Sequence, residues 1–175
     1  LSASDNEKWG ARAMPTVEVE SMIEAFIEAA ERAEKSGFDG VELHGAHGYL
    51  LAQFLSAEFN LRTDQFGGSL QNRQRPLMQI IDGIRARCGA EFMLGVRLSP
   101  ERFGMDLSEI LSLVENLLDD EKIEFLDMSL WDVFKAPEGF TAQTATGLDV
   151  NMPKGSLVWN WQSIDLKKME PIGKT

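Results

Sequence analysis

Three times along this chain, an amphipathic helical pattern is followed by a short apolar run with the length of a β-strand. The helical patterns cover residues 16–37, 76–88 and 106–118, and the strand-like runs cover residues 38–45, 92–99 and 123–130. A repeated helix–strand order is typical of a parallel sheet whose strands are joined by right-handed crossovers. The sequence therefore predicts an α/β fold, and both an open doubly wound sheet and part of a (β/α)8 barrel accept this order.

The length of the chain bears on the choice between these architectures. The sequence has 175 residues, whereas a closed (β/α)8 barrel usually needs about 250, so we expect this chain to be too short to close a barrel by itself. In both architectures, ligands bind beyond the C-terminal ends of the strands. His44 and Arg97 occupy such strand ends, which makes them candidate site residues.

Local signals predict where these elements end and how deeply they are buried. Thr16 is expected to cap the first helix and Gly37 to end it, and Asp106 and Glu109 form a capping-box-like start for the third. The run FMLGVRLS, residues 92–99, is apolar enough to predict a fully buried strand.

Charge and cysteine content argue against several classes of function. The chain carries 17 basic and 28 acidic residues, a net charge of -11, and such a field repels phosphate backbones and anionic membranes. We therefore expect no nucleic-acid partner and no membrane partner, and no apolar run is long enough to span a bilayer. Cys88 is the only cysteine, which excludes an intramolecular disulfide and fits a reducing, cytoplasmic setting.

The segment HGAHGYL, residues 44–50, contains both histidines and the only tyrosine of the sequence. Its two glycines disfavour a regular helix, and a glycine-bordered turn at a strand end lets His44, His47 and Tyr49 converge on one small volume. Imidazole N–H and phenol O–H groups can polarise a carbonyl or stabilise an oxyanion, and a tyrosine can supply a proton as a general acid. The clustering therefore favours a catalytic or substrate-binding site.

Two other interpretations of this segment stay open. The three side chains can simply satisfy local backbone groups. A His-x-x-His spacing can also supply two metal ligands, but a carboxylate such as Glu42 would have to complete the set because the sequence has no third histidine. We predict no metal site.

Arg97 is the second candidate residue. It lies in the apolar run LGVRLS, where a guanidinium is costly unless an anion or another acceptor meets it. That partner is either a ligand or a carboxylate such as Asp127 in the neighbouring strand, and the sequence leaves the two interpretations equal.

Two further features are expected to be structural. The glycine turn FGGSLQNRQR, residues 66–75, predicts a helix entry with Ser69 as its cap and arginines on the surface, rather than a phosphate site. Cys88 lies at a predicted helix end with nothing nearby to activate a thiolate, so we expect an inert side chain.

The longest informative stretch is GFDGVELHGAHGYLLAQFLSAEFNLRTDQFGGSLQNRQR, residues 37–75. It resembles the Old Yellow Enzyme family of NAD(P)H:flavin oxidoreductases, in which a pattern close to GFDGVEIHGAHGYL is followed by N-x-RTD-x-YGGS-x-ENR-x-R. The resemblance continues through LGVRLSPERFGMDLSE and FLDMSLWDVFKAPE and covers roughly residues 12–138. It implies a (β/α)8 TIM barrel, of which this chain would form the central part, incomplete at both ends.

The resemblance also implies an activity and a role for each candidate residue. Family members bind FMN, take electrons from NAD(P)H and reduce activated alkenes such as enones by hydride transfer from flavin N5. The positions matching His44 and His47 hydrogen-bond the carbonyl oxygen of the unsaturated substrate. The position matching Tyr49 protonates the alkene, and the position matching Arg97 faces the N1/O2 edge of the flavin.

The resemblance stops near residue 139, so we expect residues 1–138 to form the central βα units and residues 139–175 a divergent tail. Family members also have a strand-rich N-terminal part and late loops that hold the FMN phosphate, and neither is matched here. The alternative function is therefore a truncated, non-catalytic barrel fragment or interaction module. Open sheet edges and uncovered apolar faces lead us to expect self-association.

Overall fold

The computed structural model describes residues 1–130 together with residues 164–165 and 170–171. The helices of this part are α1 Thr16–Lys35, α2 Leu50–Leu55, α3 Leu70–Arg73, α4 Arg75–Cys88 and α5 Leu107–Asp119. The strands are β1 Gly40–Gly45, β2 Met93–Leu98, β3 Phe125–Met128, β4 Ile164–Asp165 and β5 Glu170–Pro171. Each of these helices is too short or too polar to cross a bilayer. The expected boundary between residues 138 and 139 lies outside the described residues.

The strands β1, β2 and β3 are parallel neighbours in chain order, which confirms the expected parallel sheet. Strands joined by helices and placed side by side in chain order are the arrangement of a (β/α)8 barrel, whereas a doubly wound sheet reverses its order at a switch point. The strands β4 and β5 continue the sheet beyond β3 as short antiparallel pairs. The order of the first three strands therefore favours the barrel.

One face of the sheet packs into the core together with α1 and α4. At one point the two helices approach so closely that a Cβ on Gly83 would overlap the side chain of Ile27. Burying an aliphatic side chain of this kind contributes about 1.5–3 kcal/mol, so this helix–sheet layer is the main source of stability. On the sheet side it contains alternate residues of the three parallel strands: Leu43, Leu94, Val96, Leu98, Leu126 and Met128.

The opposite face of the sheet is only partly covered by the described residues. Met93 is 44% exposed and Glu42 is exposed, whereas Gly95 is buried because the ring of Phe125 lies over it. A Cβ on Gly95 would overlap that ring. The prediction of a fully buried strand at residues 92–99 was therefore wrong, because the helices of the described part cover one face of the sheet and the composition of a strand does not reveal which faces are covered.

The expected helix boundaries hold with one exception. Asp106 caps α5 by accepting a 3.1 Å hydrogen bond from the backbone N–H of Glu109, and Gly37 follows the end of α1 with φ 85°. Thr16, however, is not the cap of α1, because Pro15 holds that position. The Thr16 hydroxyl instead donates a 2.7 Å hydrogen bond to the carboxylate of Asp64 in a distant loop.

The Asp64 carboxylate belongs to an ion pair that joins this loop to the N-terminal segment. Arg62 donates to Asp64 at 2.9 and 2.5 Å and to the carbonyl oxygens of Ala3 and Met14 at 3.0 and 2.5 Å. Hydrogen bonds from Arg62 outweigh partial burial and lower the pKa of Asp64 to about 2. The nearly buried guanidinium therefore depends on this carboxylate for its charge balance.

We expect Asp64→Asn to lower the free energy of unfolding by about 2 kcal/mol, less than for a fully buried pair because Asp64 is partly solvated. The reason is that the substitution leaves the Arg62 charge without its counter-ion. Urea denaturation at neutral pH measures the change. Because the folded pKa lies below the unfolded value, the contribution is present above about pH 4 and is lost as the pH falls towards 2.

The matched control is Glu18→Gln, which removes an exposed ion pair with Arg12. It should change the free energy of unfolding little, since solvent screens exposed pairs. Equal losses in Asp64→Asn and Glu18→Gln would contradict a special role for the Arg62–Asp64 pair.

Candidate active site

The HGAHGYL segment forms the turn between β1 and α2. His44 is the fifth residue of β1, and the chain then turns through His47 and Gly48, which both have left-handed backbone conformations with φ 60° and 71°. A non-glycine residue rarely adopts this conformation, and such residues concentrate at functional sites. The turn brings the three rings together: the His44 and His47 centroids are 5.2 Å apart, and those of His44 and Tyr49 are 5.3 Å apart.

A row of polar side chains crosses the sheet beside this turn. In the strand register, His44 pairs with Arg97, and Arg97 pairs with Asp127. The Arg97 Nε and Asp127 Oδ2 atoms are 3.0 Å apart, so the carboxylate partner considered for Arg97 is present. A guanidinium carries five N–H donors, so this pair is compatible with a further role of Arg97 towards a ligand.

Two serines hold His47 from the ends of the neighbouring strands. The backbone N–H of His47 donates to the Ser99 hydroxyl at 3.1 Å, and its Nε2 atom lies 2.6 Å from the Ser129 hydroxyl. The Phe103 ring packs against the imidazole with a centroid distance of 6.0 Å. Neither serine was predicted as a site residue, although each directly follows a strand, at the edge where ligands bind in parallel sheets.

Burial and positive charge keep both imidazoles neutral. The pKa of His44 is lowered by burial first, then by His47 and Arg97, and the pKa of His47 is lowered by burial and by Arg97. Asp127 opposes both shifts. The site therefore presents neutral imidazoles near pH 7, and each neutral ring offers one N–H donor and one acceptor nitrogen.

Glu42, the carboxylate considered as a third metal ligand, lies on the same sheet face. Although the side chain reaches solvent, partial desolvation and the nearby Asp127 charge raise its pKa, and Arg97 opposes this shift. Within residues 1–130 and the two short strands, no group of three His, Cys, Asp or Glu side chains is arranged to hold a metal ion.

The glycine turn at residues 66–75 has a structural role, but one of its arginines is not on the surface. Ser69 caps α3 as expected by accepting a 3.3 Å bond from the backbone of Asn72. Arg73, in contrast, is 2% exposed and donates to the carbonyl oxygen of Leu55 and to Glu109. The expectation of surface arginines was therefore wrong for Arg73. It is buried because it donates a hydrogen bond to the carbonyl oxygen at the end of α2, and the hydrophobic periodicity of the sequence does not reveal such a contact.

Cys88 behaves as the sequence suggested. The thiol is buried at the end of α4, and burial and nearby Glu34 raise its pKa, which disfavours a thiolate nucleophile.

A sequence profile of the NADH:flavin oxidoreductase / NADH oxidase family matches residues 1–146, which is most of the chain. The chain belongs to this family. The Old Yellow Enzyme resemblance is thereby confirmed, and the description of the family names flavin and NADH.

Individual proteins that are similar to this chain support the family assignment. The probable NADH-dependent flavin oxidoreductase YqiG of Bacillus subtilis is 40% identical over 153 residues, covering 83% of this chain and 41% of that protein. The cinnamate reductase of Clostridium sporogenes is 40% identical over 156 residues, covering 86% of this chain and 22% of that protein. The chain thus spans less than half the length of these relatives.

A solved structure supports the fold. The Old Yellow Enzyme homologue NCR of Zymomonas mobilis matches with a TM-score of 0.61 and 36% identity, covering 67% of this chain and 34% of that chain. The expected fold class, part of a (β/α)8 barrel, is confirmed. The roles of His44, His47, Tyr49 and Arg97 stay predictions.

We expect both histidines to titrate below the ordinary histidine value of about 6.5, because burial and Arg97 disfavour the imidazolium. NMR of histidine-labelled protein measures this, and His44→Gln assigns the two sets of signals. Asp127→Asn should lower both pKa values further, because the carboxylate raises them. Titration of both rings at or above the ordinary value would contradict the effects of burial and of Arg97 on the two imidazoles.

Proposed function

We propose that this chain contributes the substrate-activating part of an FMN-dependent oxidoreductase that reduces alkenes conjugated to a carbonyl group. The observation that carries the proposal is the convergence of two neutral imidazoles and a phenol beside Arg97 at the C-terminal edge of a parallel sheet. Membership of a flavin oxidoreductase family supports the reaction class. A relative named for the reduction of cinnamate, an alkene conjugated to a carboxylate, supports the substrate class.

The histidine pair would bind the carbonyl oxygen of the substrate. Each neutral ring donates one N–H, and two donors on one oxygen stabilise the negative charge that develops there during reduction. The same hydrogen bonds withdraw electron density from the β-carbon and prepare it for hydride attack. The depressed pKa values of His44 and His47 favour binding without proton transfer from the imidazoles.

Tyr49 would supply the proton that completes the reduction. Its ring lies beside that of His44, and the side chain is 62% exposed, so the phenol is accessible to a substrate held by the imidazoles. A neutral phenol is an efficient proton donor only to a strongly basic carbon, and the α-carbon becomes basic once hydride has reached the β-carbon.

The donor set of the site fits one edge of a flavin. Arg97 places a cation in the same row as His44, and a guanidinium suits the N1/O2 edge, where negative charge accumulates on reduction. When bound, FMN reduced by NAD(P)H supplies the hydride from its N5 atom. Asp127 would hold the guanidinium in place through the 3.0 Å ion pair.

The first test is reconstitution of the protein with FMN, followed by separate measurement of the two half-reactions. We expect Tyr49→Phe to slow alkene reduction by about 10²- to 10⁴-fold, the usual contribution of a general acid, and to leave flavin reduction by NADH unchanged. Phe38→Leu is the control, since Phe38 is an exposed aromatic outside the site. Equal loss of both half-reactions would refute the proton-donor role.

Failure of the protein to bind FMN would favour the alternative, a non-catalytic interaction module. One observation gives this alternative weight, namely the incompletely covered sheet face with Met93 and Glu42 exposed. Met93 gives this face exposed apolar surface, and exposed apolar surface favours association with another chain. We propose that copies of this chain self-associate through it.

Sedimentation equilibrium tests the self-association, with an apparent mass that rises with concentration as the expected result. Met93→Lys should shift the equilibrium towards monomer because it replaces the exposed apolar surface of this face with a charged side chain. Leu111→Lys on α5 is a matched control, since Leu111 is 43% exposed and Met93 is 44% exposed. A monomer at every concentration, or equal effects of the two variants, would reject this surface.

A further inference from the structure

We infer that Gln53 and Ser99 are positioning residues, which together hold in place the turn that carries His47 and Tyr49. Their side chains form hydrogen bonds to the peptide groups on either side of the left-handed residues of this turn. Assigning a substrate to the two rings rests on the proposed function, whereas the geometry of the turn is a property of the protein alone.

The turn has a backbone conformation that a histidine does not favour by itself. The backbone N–H of Tyr49 donates to the carbonyl oxygen of Ala46 at 3.2 Å, which closes a four-residue turn. Its central residues, His47 and Gly48, both have positive φ, as in a type I′ turn. Asparagine, aspartate or glycine usually holds the first central position, because the β-carbon of other residues crowds the backbone there. Contacts from outside the turn therefore have to support His47.

Ser99 supports the beginning of the turn from the end of β2. Its hydroxyl accepts a 3.1 Å hydrogen bond from the backbone N–H of His47. Ser99 is 0% exposed and directly follows Leu98, which pairs with Gly45 in the strand register. The sheet therefore fixes the position of this hydroxyl, and solvent does not compete for it because the side chain is buried.

Gln53 supports the other end of the turn from α2. Its side-chain amide donates a 2.8 Å hydrogen bond to the carbonyl oxygen of Gly48, which belongs to the peptide unit that leads into Tyr49. The backbone N–H of Gln53 donates to the carbonyl oxygen of Tyr49 at 2.8 Å. Gln53 thus contacts the peptide groups on both sides of the Tyr49 Cα atom and fixes the direction in which this side chain leaves the backbone.

The orientation of the Gln53 amide follows from its two partners. A carbonyl oxygen only accepts hydrogen bonds, so the NH2 group faces Gly48. The amide oxygen then faces the hydroxyl of Ser2, which donates to it at 2.9 Å. Ser2 is 7% exposed, and its backbone is hydrogen-bonded to Arg12 and Met14. The N-terminal segment therefore fixes the glutamine side chain that supports the turn.

The two contacts act on two of the rings that have proposed chemical roles. The ring centroids of His47 and Tyr49 lie 5.2 and 5.3 Å from that of His44. A displacement of a reacting group by about 1 Å can reduce a rate by about 10²-fold. Loss of the Ser99 or Gln53 contact should therefore slow alkene reduction, although it removes no group that is proposed to contact the substrate.

The experiment is NMR spectroscopy of ¹³C,¹⁵N-labelled protein without flavin. The one-bond Cα–Hα coupling reports the sign of φ, and the unaltered chain should show a positive φ and a protected backbone N–H at His47. Ser99→Ala should speed hydrogen exchange of this N–H by about 10-fold, the factor expected for loss of one hydrogen bond. Gln53→Met keeps the length of the side chain but has no donor, so it should move the carbonyl ¹³C signal of Gly48 to lower frequency.

Ser112→Ala on α5 and Gln79→Met on α4 are the matched controls, since both side chains are exposed. They should leave the His47 exchange rate and the Gly48 signal unchanged. A negative φ or an unprotected N–H at His47 in the unaltered chain overturns the inference, even if the variants do not fold. An unchanged readout in folded Ser99→Ala or in folded Gln53→Met overturns it as well, because each residue is assigned its own peptide group.

Measurements after reconstitution with FMN separate this inference from the proposed function. Gln53→Met should slow alkene reduction by about 10²-fold, whereas Gln79→Met should not, and an unchanged rate in Gln53→Met would overturn the positioning role. A chain that binds no flavin but shows the expected NMR changes rejects the enzyme proposal alone. A chain that reduces alkenes but shows no NMR change in Ser99→Ala and Gln53→Met rejects the positioning roles alone.

Discussion

The site depends on one constraint, the parallel register that places His44, Arg97 and Asp127 in a single row across three strands. Side chains alternate between the two faces of a strand. A slip of one residue in one strand would therefore point its member of this row towards the helices on the other face of the sheet. The register is held by the apolar residues on the other face, such as Leu43 and Val96, which bury fully only when the strands are aligned this way. Packing of the core and placement of the polar row are thus two results of the same alignment.

Electrostatic balance within that row determines the state of the imidazoles. Burial and Arg97 lower the pKa of both rings, and Asp127 raises it. Asp127 therefore partly offsets the downward shift of both pKa values. Neutral rings can donate hydrogen bonds without giving up a proton to the ligand. The arrangement therefore suits stabilisation of a developing oxyanion better than acid catalysis by histidine.

Periodicity and turn chemistry predicted the features that depend on local sequence. The three parallel strands, the long helices, the Asp106 cap and the closeness of HGAHGYL to a strand end follow from patterns of a few residues each. Contacts between distant segments were not predictable in this way. Thr16 was expected to cap a helix and instead binds Asp64, because a hydroxyl with two available partners cannot be assigned from one segment.

The same reason explains what was missed in the site. Arg73 is buried because the end of α2 and the start of α5 meet around it, and Ser99 and Ser129 contact His47 because three strand ends meet. Contacts between such distant segments depend on tertiary structure, which a single sequence shows only through resemblance to a family. That resemblance supplied roles for four residues but no information about the serines.

The stacking of Phe125 over Gly95 limits how this part of the fold can diverge. The ring occupies the space that any side chain at position 95 would need, and both residues lie one pleat below the Arg97–Asp127 pair. A larger residue at position 95 therefore requires a smaller one at position 125, so substitutions at these two positions are coupled. In related chains, the identity of one of these residues should carry information about the other.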